Sequence, residues 1–187
     1  MRERKLTTRQ AEDLEYVDEE ELLRQLDKLA SHIGWVIIYF NSLEDSVSFY
    51  LRELLLHDPF QDERLDVFLA EMLFAGKVRS LVHIYGQMAE GWGISVTHAE
   101  VAEIERTLVE CAKRRNEYAH AHWIDMRDGP TVRVKSQSKP RGIEHRYKLY
   151  APADVAEDVA YISAARHALD EFHERMLTAS RAKPATA

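Results

Sequence analysis

Cysteine is nearly absent from this chain. Cys111 stands alone, so neither an intrachain disulfide nor a cysteine-rich zinc site is available, and a reducing, cytoplasmic setting is expected. Any apolar run of bilayer length is also missing: the longest, Ile33 to Phe40, falls far short of the roughly 20 residues a spanning helix needs. Met1-Arg2-Glu3-Arg4-Lys5 is not followed by the apolar stretch of a signal peptide, so no membrane partner and no export are expected. Repeats and low-complexity segments are lacking too. Positive charge is in deficit: 25 Lys and Arg against 32 Asp and Glu give a formal net charge of -7, which excludes a molecule that attracts nucleic acid with its whole surface.

What remains is a chain of 187 residues with 45% hydrophobic composition, enough for one domain with a real core. Its charge is uneven. From Arg106 to Lys148 there are eleven Lys or Arg against five Asp or Glu. A basic patch on an acidic body suits a local phosphate site, although charged loops are more often simply solvated.

Residues 1–17 read as a polar tail, 18–180 as a single helical domain, and 181–187 as a second tail. Asp18 with Glu21 three residues later resembles a capping box, and helix formers continue to about His57, where Asp58-Pro59 breaks the run. A second helical stretch is predicted from about Asp62 to Ala89, broken near Gly76 and closed by Gly91-Trp92-Gly93. Thr97 with Glu100 opens a third, which runs to about His122. The pattern then changes. Asp128-Gly129-Pro130 signals a turn, and the stretches Thr131 to Lys135 and Arg146 to Tyr150 read as extended, so 123–150 is predicted as a small hairpin with a loose tip at Ser136 to Gly142. Pro152 restarts a helix whose apolar face is Val155, Val159, Ile162, Leu169 and Met176. The predicted fold class is all-α, an up-and-down helical bundle with a small β-hairpin excursion before the last long helix.

Charges interrupt the apolar stripes. At 100° per residue Ile33, Ile37, Phe40, Val47, Leu51 and Leu54 share a face of the first helix with Glu44 at its centre. On the third, Val101, Ile104, Leu108 and Cys111 lead into Arg115, Ala119 and His122, with Asn116 and His120 one turn apart on the shoulder. A structural ion pair between Glu44 and Arg115 is the plain explanation. Arg166, on the last helix, shows that a lone charge on a stripe means little, since such a side chain can reach to solvent. Four convergent groups, Glu44, Arg115, Asn116 and His120, say more. A fixed cation that holds phosphate through paired hydrogen bonds, beside a base that titrates near neutrality, suits phosphodiester chemistry without a metal.

Arg115-Asn116-x-x-x-His120 resembles the Arg-x4-6-His signature of the HEPN superfamily, in the form where Asn follows Arg, and Ser42-Leu43-Glu44 is similar to a first-helix pattern of that family. The resemblance implies a small HEPN-like helical bundle that pairs through its motif helix, and a metal-independent endoribonuclease with no cofactor, of the kind found in toxin–antitoxin and antiphage systems. It implies Arg115 as phosphate and transition-state clamp, His120 as general acid or base, Asn116 as a positioning donor and Glu44 as the orienting carboxylate. Lys113, Arg114, Tyr118 and His122 are the expected substrate contacts. The implied partners are the phosphate backbone of RNA, a second copy of the chain, and an antitoxin or regulatory protein. In one toxin subgroup a Tyr two residues after the motif His is modified by a partner nucleotidyltransferase; here that position is His122. Two rivals stand beside this reading. One is a catalytically silent dimeric interaction module of the same family. The other is a ferritin-like metal site on Glu117-x-x-His120 with Glu44, against which stand the absence of a second Glu-x-x-His and the stripe cation; no metal is expected. The remaining histidines, His173 among them, are expected at the surface or its boundary.

Overall fold

The computed structural model describes residues 2–7, 18–91, 96–124, 132–140 and 142–181. The chain divides into two compact units. One, the sheet unit, is Met1–Ile38 with Arg114–Ala160; the other, the helical unit, is Tyr39–Lys113 with Tyr161–Ala187. The chain is mostly helical, in keeping with the all-α reading.

Helix α1 (Glu19–Leu55) starts where the capping signal placed it: the Asp18 carboxylate accepts the Glu21 N–H at 2.9 Å, and three glutamates occupy the first turn, where the helix dipole favours negative charge. Beyond its end, the Asp58 side chain accepts the N–H groups of Phe60 and Gln61, both at 3.1 Å, which turns the chain. A short 3-10 turn, Glu63–Leu65, leads into α2 (Asp66–Glu71) and α3 (Phe74–Gly91). The break between these helices lies at Met72, whose ψ of 132° is extended, and not near Gly76. Gly76 sits inside α3, where a Cβ would meet Met72 Cε at 3.4 Å.

The second capping box is complete. Thr97 N–H donates to Glu100 Oε2 at 2.9 Å and Glu100 N–H donates back to Thr97 Oγ1 at 3.3 Å, opening α4 (His98–Ala119). In the helical unit α1, α3, α4 and the last helix, α5 (Pro152–Arg181), build a bundle-like core. Leu43, Val47, Leu81, Leu108, Ile162 and Met176 are wholly buried there. The Phe40 and Phe74 rings meet at 4.8 Å, and Tyr85 and Phe172 at 5.1 Å. The buried line of α1 runs through Val36, Phe40, Leu43, Val47 and Leu51, so Glu44 lies on its half-buried flank and not at its centre.

The sheet unit holds more β structure than the expected hairpin. Strands β1 (Arg2–Thr7), β2 (His122–Ile124), β3 (Val132–Lys139) and β4 (Gly142–Leu149) form one antiparallel sheet in the order β1-β4-β3-β2. The hairpin β3–β4 extends through most of the expected loose tip, and Gly142 takes a φ of 121°, a conformation suited to glycine. β1 comes from the segment expected to be a polar tail. Its pairing with β4 is made by backbone groups, and a short, charged strand is a normal sheet edge, so composition alone did not reveal it. Leu6, Ile124, Val134 and Leu149 pack against buried Tyr147. Residues 8–17 and 182–187 of the expected tails, the Trp92-Gly93 stop and the Asp128-Gly129-Pro130 turn lie outside the described residues. Among the described residues no helix is long and apolar enough to cross a membrane.

Candidate phosphodiester site

The apolar stripe of α4, Val101, Ile104, Leu108 and Cys111, is buried and continues through half-buried Arg115 to Tyr118. Seven residues make nearly two helical turns, so Tyr118 falls under Cys111. The expected continuation to Ala119 and His122 is therefore corrected. Ala119 is exposed, the helix ends there, and exposed His122 is the first residue of β2.

Around the last turns of α4 the polar side chains sort into two sets. Arg114 Nη1 donates to Asp158 Oδ1 at 2.5 Å, and Tyr118 Oη donates to Asp158 Oδ2 at 2.5 Å. Glu117 accepts both contacts of Lys148 Nζ, at 2.6 and 2.7 Å, and the Tyr150 hydroxyl at 3.0 Å. Tyr118 also stacks on Trp123 with ring centroids 6.3 Å apart and tilts against Tyr150 at 5.4 Å. Burial, reinforced by the bond to Asp158, pushes the Tyr118 hydroxyl well above the ordinary tyrosine range. It is a fixed donor, not a titrating one. Arg114, Glu117 and Tyr118, the first and last of them expected as substrate contacts, thus fasten the helix end to α5 and β4.

The other set faces outward. Asn116 and His120 are exposed, and the His120 N–H donates to the Asn116 carbonyl at 3.3 Å, so the two residues stand one turn apart. Arg115 is half-buried beside them, with exposed Ala119 adding little bulk. This arrangement places an amide and an imidazole on one open shoulder, with the half-buried Arg115 on the neighbouring stripe. Of the other expected contacts, His122 is exposed on β2, while Lys113, in the helical unit, is exposed and paired with Glu110 at 3.0 Å. Glu117 is committed to Lys148 and Tyr150, and among the described residues no group of three or more His, Cys, Asp or Glu is placed to hold a metal ion.

Glu44 belongs to the helical unit, where its carboxylate accepts Lys77 Nζ at 2.8 Å. Lys77 is only 8% exposed, a buried cation that sequence reasoning passed over. Its signal was there: it sits between Phe74 and Leu81 on the buried side of α3. Arg166 places Nη1 2.9 Å from Ser42 Oγ and Nε 3.9 Å from Asp170, so the second stripe cation is anchored by a hydroxyl and a carboxylate.

The expectation for His173 is also corrected, because its side chain is fully buried. It shares a hydrogen bond of 2.8 Å with the Tyr85 hydroxyl at Nδ1, lies 3.1 Å from Glu53 Oε2 at Nε2, and stacks under Tyr50 with centroids 3.8 Å apart. Burial holds it below the ordinary histidine pKa, partly offset by Glu53, Glu174 and Asp170. A neutral ring with Nε2–H toward Glu53 and Nδ1 accepting from Tyr85 satisfies all three groups. Its position between Leu169 and Met176 on one stripe was the readable sign.

A scan against protein-family models matches none of them, and comparison with curated proteins and with solved structures returns no match.

Proposed function

We propose that the chain is a metal-independent endoribonuclease of HEPN type whose reactive groups are Arg115, Asn116 and His120. The observation that carries this reading is the division of the α4 terminus: Arg114, Glu117 and Tyr118 are engaged in bracing, while Asn116 and His120 stand exposed one turn apart. Such a face has no structural need of an imidazole. In the proposed reaction a ribose 2'-oxygen bonds to the adjacent phosphorus as the P–O5' bond breaks, giving a 2',3'-cyclic phosphate and a 5'-hydroxyl. An imidazole takes the 2'-hydroxyl proton, a protonated imidazole gives one to the leaving oxygen, and the Arg115 guanidinium stabilises charge on the nonbridging oxygens.

Two imidazoles are needed at once, which favours a homodimer contributing one His120 each. Trp35 and Ile38, exposed one turn apart on α1 in the same unit, offer apolar surface for such pairing. An antitoxin or regulatory partner would restrain the activity. The second reading, a catalytically silent dimeric module, rests on that same apolar surface.

The test is cleavage of a labelled RNA by the purified protein in excess EDTA. The expected result is a product ending in cyclic phosphate, lost in His120→Ala. Activity abolished by EDTA and restored by Mg²⁺ or Mn²⁺ contradicts the mechanism.

A further inference from the structure

The strands carry eight Lys or Arg against two Glu in a chain whose net charge is -7. The antiparallel register also stacks like charges. Lys5 on β1 is directly opposite Arg146 on β4, and Arg146 is directly opposite Lys135 on β3, a row of three cations across adjacent strands. Like charges directly opposite one another destabilise a sheet, so folding alone gives no reason for the row. An anion lying across it removes the repulsion.

Among the described side chains, neighbouring carboxylates do not do so. Lys148 is held by Glu117, and that cation is spent on bracing. Arg146 meets Glu144 of its own strand at 3.3 Å, with both side chains about one-third exposed. A solvent-exposed pair of that kind contributes little and yields readily to a phosphate. Lys5 is exposed.

Chain continuity links this row to the motif. His120 ends the turn after α4, Ala121 follows, and His122 begins β2, paired with Val134 of β3. A polyanion engaged at His120 thus meets the β2 edge two residues on, and the cation row begins on the next strand.

We propose that the four-stranded sheet is an RNA-binding face, with Lys5, Lys135 and Arg146 contacting successive phosphates of the strand whose scissile bond lies at His120. This rests on the ribonuclease reading for the polarity of the site, but its own test does not need cleavage. The probe is a fluorescein-labelled 2'-O-methyl oligonucleotide of mixed sequence, which has no free 2'-hydroxyl and cannot be cut. Its binding to the full chain is followed by anisotropy from low to moderate salt. For a single strand each phosphate contact contributes about 0.7 to the slope of log affinity against log salt. The triple variant Lys5→Ala, Lys135→Ala, Arg146→Ala is expected to flatten the slope by about 2 and to weaken binding by roughly tenfold or more at low salt.

A charge-matched control, Arg24→Ala, Lys28→Ala, Arg106→Ala, removes three cations outside the sheet and is expected to leave the slope unchanged. Lys5→Arg with Lys135→Arg is expected to keep wild-type binding. Equal slopes for the sheet and control variants overturn the proposal, as does a wild type that does not bind the probe. Should the triple variant fail to fold, Lys5→Ala on the edge strand alone is expected to lower the slope by about 0.7, and an unchanged slope overturns the proposal. A wild type that binds as predicted but cleaves no ordinary RNA refutes the ribonuclease reading and leaves the sheet assignment standing. Cleavage with a slope indifferent to the sheet variants does the reverse.

Discussion

In the helical unit a buried histidine is held by Tyr50, Tyr85 and Glu53; in the sheet unit, Asp158, Lys148 and Tyr150 hold three side chains, Arg114, Glu117 and Tyr118, of a helix whose opposite shoulder is open. In both networks the named polar groups are paired, as buried ones must be. They differ in what the satisfaction accomplishes. Around His173 the network completes a core made mostly of carbon. Around Asp158 it immobilises a helix end and so fixes the positions of Asn116 and His120, which make no comparable contribution to packing. Polar burial near a candidate site is therefore informative about chemistry only when the braced and the open groups can be told apart.

Asp158→Ala should disturb this division most. It removes the acceptor of both half-buried Arg114 and buried Tyr118, so about 2–3 kcal/mol of stability should be lost. Amide hydrogen exchange should localise the loss to the end of α4, and RNA cleavage should fall with it. Protection unchanged at Tyr118 and Ala119 would show that the bracing is not what orders the motif.

Glu44→Ala comes next. It strands the nearly buried Lys77, at a cost of about 1–2 kcal/mol in urea unfolding, and adding Lys77→Met should recover most of it. No recovery would mean that Glu44 matters through another partner.

A smaller effect concerns His173. Its folded pKa is depressed, so its share of stability is fully present above the ordinary value near 6.5 and is lost as the pH falls through the folded value. Bonding to Glu53 moderates the loss. The urea midpoint should therefore drop from pH 7.5 to 5.5 in the wild type and drop less in His173→Asn; parallel curves would remove His173 from the account.

Much of the helical layout was legible because local chemistry determined it. Asp18 and Thr97 cap helices as their spacing with Glu21 and Glu100 implied, and Pro152 opens α5. The sheet was only half legible. The alternating stretch at Val132 to Lys135 signalled a hairpin, whereas β1 depends on distant backbone pairing and has a single apolar residue to announce it. Similarly, the motif could be read from Arg115, Asn116 and His120, while its supports could not. Asp158 lies 40 residues from Tyr118, and Lys148 lies 31 from Glu117, separations over which a single sequence carries no pairing signal. His173 and Lys77 were readable as polar residues on apolar stripes, but their partners Tyr85, Glu53 and Glu44 come from other helices.

The most direct test sets His120→Ala beside the wild type in two measurements on the same preparations: a thermal melt, and single-turnover cleavage of RNA in EDTA. His120 is exposed and outside both bracing networks, so its removal should change stability by less than about 0.5 kcal/mol. Cleavage should fall by at least about a hundredfold, the usual contribution of a general acid or base. Undiminished cleavage by His120→Ala, or a melt that collapses with the activity, would contradict the account.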